Sequence, residues 1–221
     1  MKNRKSKWIG GCIVLCVLII TIFVFIFRET ILFKAGSFLA PSGDYKADVA
    51  ILEGNEFVST GIITKGMHLL SSGKVKRIVI VLQSIAPADR PYGLEESYPD
   101  IVRQKIKNLG LKKQDFKIIM VPVQHPITLK EAEVVLKNLS RENIKSAILL
   151  SSGFHTRRSY LVYQYIGKPL QIKIFPEASF TGYNLDNWLV QERGFRDFTV
   201  ELFKLVYYLA GGYIPFKFSY Q

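Results

Sequence analysis

The segment Ile148-Leu149-Leu150-Ser151-Ser152-Gly153-Phe154-His155-Thr156-Arg157-Arg158-Ser159-Tyr160 gathers the side chains best suited to chemistry. An apolar run passes through small residues into a helical segment whose first turn is cationic. A helix N-terminus carries partial positive charge, so His155, Arg157 and Arg158 are disfavoured there unless an anion sits beside them. Backbone N–H groups around Ser151, Ser152 and Gly153 would join Arg157 and Arg158 in holding a phosphate or carboxylate. Arginine suits that task through its bidentate fork, and the competing reading for Arg158 is an ion pair with Glu177 or Glu201. Imidazole is the side chain that exchanges protons near neutrality, which makes His155 the candidate general acid or base. Its bland alternative is a histidine that caps its own loop.

Other candidates are scattered along the chain. Glu53 ends an apolar run, where a carboxylate can act as a base or metal ligand, and the cationic loop beside it favours an ion-pair role. Glu201 and Lys204 stand three apart in a helical segment, a spacing that gives only ~0.2–0.5 kcal/mol when exposed, so they read as braces. Trp188 either stacks on a sugar or roofs a core. Ser151 and Ser152 lie near His155 without a G-x-S-x-G elbow or an identifiable orienting acid, which argues against a hydrolase triad. His68, His125 and His155 belong to different segments and no H-E-x-x-H occurs, so no metal is expected. Gly54 is not part of a G-x-G-x-x-G run, and no dinucleotide or other cofactor is expected. Cys12 and Cys16 both fall in the apolar N-terminal run, which excludes thiol chemistry and disulfides from the rest of the chain.

The elements that must position these residues alternate between strand-length apolar runs and segments of helical period, the pattern of an α/β domain with a mainly parallel sheet. Five strands are predicted at Asp48–Leu52, Arg77–Leu82, Lys117–Val121, Ser146–Leu150 and Gln171–Phe175. Between them helices are predicted at Glu56–Ser72, Ser97–Leu109, Thr128–Leu139 and Thr156–Ile166, with Gly73, Gly110 and Gly167 as left-handed stops. A last helix, Arg193 to Leu209, presents the apolar stripe Phe195, Phe198, Leu202, Leu205, Val206 and Leu209 to the sheet. The tail Tyr213, Phe216, Phe218 and Tyr220 packs on the domain or touches a bilayer. The expected fold is a Rossmann-like, doubly wound sheet of about five strands. Its ligands would bind outside the carboxyl ends of the strands, where Glu53, Asn55, Gln83, Ser84, His125, Thr128, the Ser151 to Arg158 segment and Glu177 converge.

Trp8 to Phe27 contains no charged residue, and at ~1.5 Å per residue it matches the ~30 Å hydrocarbon core of a bilayer. It is read as an uncleaved transmembrane helix. The basic tail of residues 1–7, with Lys2, Arg4, Lys5 and Lys7, stays cytoplasmic under the positive-inside rule. Residues 28–47 are then a linker, and 48–221 form one extracytoplasmic domain. Subtracting the four basic residues of the tail from the chain's net charge of +12 leaves +8 outside the span, which favours anionic envelope polymers or lipid headgroups as partners; nucleic acid is not expected on that side.

The order Ala47-Asp48-Val49-Ala50-Ile51-Leu52-Glu53-Gly54, Thr128 opening a helix, Ser151-x-x-x-His155-x-x-Arg158, Trp188 and Glu201-x-x-Lys204 resembles the YdcF/SanA/ElyC-like family over about Asp48 to Tyr208. The resemblance implies a Rossmann-type domain behind one helix in the bacterial cytoplasmic membrane, associated with envelope integrity, peptidoglycan precursors or exported polysaccharide. It implies a substrate that is a phosphorylated or acidic envelope intermediate, such as a polyprenyl-linked sugar, with envelope proteins as further partners. Under it, His155 and Glu53 are the catalytic candidates, and Ser151, Ser152, Arg157, Arg158, Thr128, Glu131 and Trp188 the substrate-binding ones. Departures are visible: Glu53-Gly54 replaces a Gly-Gly pair, Glu131 stands where the Thr-x-x-Asn motif has asparagine, and Gln83-Ser84-Ile85 replaces a Ser-Gly-Gly-like turn. They weaken any carry-over of nucleotide or S-adenosylmethionine binding and favour a noncatalytic assembly or regulatory factor as the alternative. A reporter enzyme active only in the cytoplasm, fused after Gln221, is expected to be silent. Activity would place the domain inside and revive S-adenosylmethionine chemistry.

Overall fold

The structure, a computed structural model, describes the backbone of residues 2–54, 59–84 and 98–215, and their side chains except those of 2–13, 98, 99 and 101. Asn55, Ile85 and the aromatic tail residues Phe216, Phe218 and Tyr220 lie outside the described residues. Five parallel strands, β1 (Val49–Glu53), β2 (Arg77–Ser84), β3 (Phe116–Pro122), β4 (Ser146–Ser152) and β5 (Lys173–Ser179), form one sheet in the order β3-β2-β1-β4-β5. All the pairings are parallel. This is the expected Rossmann-like α/β fold.

Strands buried on both faces require near-continuous apolar runs, and β1, the core of β2 and the interior of β4 supply them. Alternation with period two then divides the side chains between two cores. Ile51, Val79, Val81 and Leu149 face one layer; Leu52, Ile78, Ile80, Leu82 and Leu150 face the other. The helices α2 (Thr60–Ser71) and α3 (Tyr98–Asn108) cover the second layer. The helices α4 (Ile127–Arg141), α5 (Thr156–Gly167) and α6 (Glu192–Ala210) cover the first. Ser59 caps α2, its hydroxyl accepting from the Ile62 N–H.

β5 begins later and runs longer than its sequence suggests. Gln171 has a positive φ in the turn before it, and Pro176 sits inside it. Proline read from sequence ends a strand, but β5 is an edge strand, where the missing N–H leaves no neighbour unsatisfied. Gly73 and Gly110 do adopt positive φ after α2 and α3. Gly167 instead belongs to α5, and the reason for glycine is space, because a Cβ there would lie 2.8 Å from the Ile172 carbonyl oxygen.

The largest revision concerns the N-terminus. The first helix, α1, runs unbroken over Lys2–Leu39, so residues 28–39 are helical where a linker is expected. No Pro or Gly interrupts the sequence between Arg28 and Ala35, and the end of the helix buries itself. Leu39 and Ala40 enter the core, the Trp188 indole N–H donates to the Leu32 carbonyl at 3.2 Å, and the Arg157 guanidinium lies over the Phe38 ring. Beyond it, the Ser42 hydroxyl accepts from the Ala178 N–H of β5. Among the described residues α1 is the one helix long and apolar enough to cross a membrane, and the apolar window within Val14–Leu39 is not covered by the domain.

Gly167→Ala is expected to destabilise the domain by about 1–3 kcal/mol, because the added methyl meets backbone that cannot rotate away. Chemical denaturation of the two proteins checks this; equal midpoints would refute the packing argument.

Candidate functional site

In a sheet of this order the topological switch point lies between β1 and β4, and ligands bind at the crevice outside their carboxyl ends. Glu53 ends β1 there and Ser151 and Ser152 end β4. The crevice is closed by their own side chains: the Ser151 hydroxyl donates to Glu53 Oε2, and Ser159 on α5 donates to Glu53 Oε1 at 2.5 Å. Glu53, Ser151 and Ser159 are all buried. Gly153, in the 3₁₀ turn Gly153–His155 that joins β4 to α5, has φ +45°, and a Cβ on it would lie 2.9 Å from the Tyr183 hydroxyl. Glycine is therefore needed to swing the chain into α5 with His155 at the mouth.

His155 is held on both ring nitrogens. Arg158 Nη2 lies 2.9 Å from Nδ1 and Ser159 Oγ 3.0 Å from Nε2, while Glu201 Oε2 stands 3.3 Å from Nδ1. When Arg158 donates to Nδ1, the ring proton sits on Nε2 and points to Ser159, whose own proton goes to Glu53. A second proton on Nδ1 would be received by Glu201. The serine, histidine and acid thus have the spacing of a triad, with Glu201 as the orienting acid that the sequence does not identify. Ser159 is fully buried and already donates to Glu53, so its hydroxyl is directed into the protein as a structural link.

Arg158 is the centre of the arrangement. Its Nε donates to Glu201 Oε2 at 2.9 Å, Nη2 reaches Oε1 at 3.2 Å, and Nη1 donates to Thr128 Oγ1 at 2.7 Å. The guanidinium also lies 4.9 Å from the centre of the Tyr208 ring. Of the two roles open for Arg158, the ion pair with Glu201 is the one present. Burial by itself raises the Glu201 pKa; the charges of His155, Arg158 and Lys204 outweigh it and hold the carboxyl well below the ordinary carboxylate range. Lys204 Nζ completes the brace at 3.1 Å from Glu201 Oε1.

Behind this layer lies a second acid. Glu131 on α4 is buried and accepts from the Tyr163 hydroxyl at 3.0 Å. Burial first, and the negative charge of Glu53 second, push its pKa well above the ordinary value of 4.5, which favours the protonated form. Tyr163, fully buried, is likewise held in its protonated form.

Two expected binding residues, Arg157 and Trp188, and the strand-end residue Glu177 stand elsewhere. Arg157, one position from Arg158, turns outward to the Phe38 carbonyl, because consecutive helix positions point about 100° apart. Trp188 is buried in an aromatic cluster, stacked on Phe198 at 4.2 Å and edge-on to Phe154; it roofs the core. Glu177, gathered with the strand ends, pairs with Lys65 and accepts from the Gly43 N–H. Among the described residues no group of His, Cys, Asp and Glu is arranged to hold a metal.

An open cleft of about 930 Å³ lies over the front layer. Ser152, His155, Arg158 and Thr128 form part of its floor, with Gln83 and His125 on one side. α6 and the turn beyond it supply the other side with Arg196, Asp197, Lys204, Tyr207, Tyr208 and Tyr213. The sequence offers weak signals for this second wall, because its tyrosines are separated from the His155 segment by some fifty positions. No family model, curated protein or solved structure matches the chain. Fold and site define a Rossmann-like α/β domain on an apolar N-terminal helix, with a polar network at its switch point.

The two buried acids predict opposite pH edges. Glu201, with a lowered pKa, contributes stability that is present above the unfolded value near 4.5 and is lost as pH falls through its folded value. Glu131, with a raised pKa, contributes stability that is present below 4.5 and is lost as pH rises through its folded value. Glu131→Gln keeps the shape and cannot ionise, so it should flatten the decline in melting temperature as pH rises above 4.5 while leaving the acid limb. An unchanged decline on that side would remove the raised pKa of Glu131 from the account.

Proposed function

We propose that this chain is a YdcF-like, membrane-anchored extracytoplasmic protein of cell-envelope or exported-polysaccharide biogenesis. In this reading its cleft binds a phosphorylated or acidic envelope intermediate. The observation that carries the proposal is the make-up of the cleft wall, where Lys204 and Arg196 stand beside Tyr207, Tyr208 and Tyr213. Cations attract a phosphate or carboxylate, and tyrosine rings offer amphipathic faces for a sugar or an isoprenoid chain. The anion is assigned to Lys204, Arg196 and His125, with Ser152 as a neutral donor, because Lys204 and Arg196, though paired with Glu201 and Asp197, have largely exposed side chains, whereas Arg158 is buried between Glu201 and Thr128. In this arrangement Glu53, Glu131, Ser151, Thr128, Arg158 and Glu201 are the rigid floor that places the wall.

The noncatalytic binding factor is favoured over the enzyme by one further fact: both nitrogens of His155 already have protein partners within 3.3 Å. The enzymatic form of the proposal retains His155 as proton carrier, since its side chain is 17 % exposed at the cleft. A turnover step would then need a ligand to displace Arg158 or Ser159 from the ring.

Binding of a polyprenyl phosphate to the full chain in detergent, measured against the uncharged polyprenol, tests the reading. Lys204→Ala is expected to weaken the phosphate about tenfold, equivalent to ~1.4 kcal/mol, and to leave the alcohol unaffected. Equal affinity for phosphate and alcohol would overturn the anion assignment. Conversion of the bound phosphate by the unaltered chain and not by His155→Ala would select the enzyme.

A further inference from the structure

The stripe on α6 is expected to face the sheet, and only part of it does. Phe198, Leu205 and Leu209 pack against the core, while Phe195 (53 % exposed), Leu202 and Val206 face outward together with Phe203 (70 % exposed). Phe195, Leu202 and Val206 are spaced i, i+7, i+11, one continuous stripe at 3.6 residues per turn. The turn before the helix adds Leu189 and Val190, the latter 81 % exposed. The other flank is polar and carries three cations to two carboxylates, Arg193 and Arg196 pairing with Asp197 and Lys204 with Glu201. An exposed apolar stripe beside a basic flank is the pattern of a helix lying in a membrane interface.

The position of α1 supplies the occupant. Beside the outward stripe, the inward Phe198 of α6 stacks on the buried Trp188, whose indole bonds to the Leu32 carbonyl, so α6 meets α1 where α1 joins the domain. The apolar run ends at Arg28, and Leu32 is one helical turn farther, roughly 6 Å at 1.5 Å per residue. The headgroup layer on each side of a bilayer is about 5–8 Å thick. The seam between α1 and α6 therefore falls within that layer if α1 crosses the bilayer.

We propose that α6 is a second membrane element, whose outward flank of Phe195, Leu202, Phe203 and Val206 rests in the interface of the bilayer that α1 spans. The inference rests on the reading of α1 as a membrane span. It fixes the orientation of the domain as well as its tether. Tyr207, exposed and lining the cleft, borders the stripe, so the mouth of the cleft stands within one helix diameter, ~10 Å, of the lipid surface. An amphiphile could present its headgroup to the cleft while its tail stays in the leaflet.

The test uses the full chain with Cys12→Ser and Cys16→Ser, reconstituted in vesicles of phosphatidylcholine and phosphatidylglycerol. A nitroxide is attached to Phe203→Cys, to Ile20→Cys in α1, or to Lys168→Cys at the far end of α5. Oxygen, which concentrates in lipid, and a water-soluble nickel chelate compete to relax the label. The oxygen-to-nickel ratio at Phe203→Cys is expected several-fold above that at Lys168→Cys and towards that at Ile20→Cys. A ratio matching Lys168→Cys while Ile20→Cys reports lipid would overturn the α6 proposal and leave the anchor standing. Water exposure at Ile20→Cys would overturn both. Spin–spin broadening at Phe203→Cys that vanishes on dilution with unlabelled chain would assign the stripe to a second copy and overturn the membrane contact.

Discussion

The pairing of Arg158 with Glu201 governs the geometry of the whole carboxyl edge of the sheet. Taking both ions out of water costs several kcal/mol each, and the cost is offset only when every remaining donor and acceptor finds a partner. Here Thr128, His155, Lys204 and the face of Tyr208 supply those partners. Three helices are thereby tied at one point, since Thr128 begins α4, Arg158 lies in the first turn of α5 and Glu201 is in the middle of α6. Removal of one ion would leave the other buried without a counter-charge, so sequence change at this point is constrained to the pair.

The acids behind the pair follow a different logic. Two carboxylates near each other in a buried site cannot both carry charge cheaply, and burial together with the charge of Glu53 raises the pKa of Glu131. Glu53 then serves as an acceptor, gathering Ser151 from β4 and Ser159 from α5. The result closes the crevice that many folds of this order leave open for a nucleotide. Polar side chains occupy the switch point, and the space for a ligand is displaced outward, to the cleft between the β3–α4 connection and α6. That displacement agrees with the lack of a glycine-rich turn after β1, where Glu53 stands.

Much of the fold was legible because its signals are local. Apolar runs of β1, β2 and β4 and the periodicity of α4 and α5 follow from burial on two faces or one, and short-range pattern is enough to locate them. Signals failed where a neighbour decides the outcome. Pro176 is tolerated only because β5 lies at an edge, Gly167 is required by the Ile172 carbonyl, and residues 28–39 stay helical because Leu39 and Ala40 find a core. The site divides in the same way. His155, Arg158 and Glu53 stand out by type and place, whereas the outward turn of Arg157, the burial of Trp188 and the role of Ser159 depend on contacts across more than thirty positions. The expectation of an external anion bound by Arg158 rested on local signals, the helix dipole, nearby backbone N–H groups and the guanidinium fork; the anion found there is Glu201, a side chain from α6 that the sequence offers only as one of two ion-pair partners.

Arg157 and Arg158 show how closely the tether and the site are joined. One guanidinium clasps the last turn of α1 at Phe38, and the next residue holds Glu201 beneath the cleft. Because α5 is rigid over its first turn, a shift of α1 relative to the domain would move both arginines together. It would press on Thr128 and His155 through hydrogen bonds of 2.7 and 2.9 Å. A flexible linker would have isolated the site from α1. The continuous helix and its buried end instead make the position of α1 one of the constraints under which the site is built, with one of the two adjacent arginines bound to the helix and the other to Glu201.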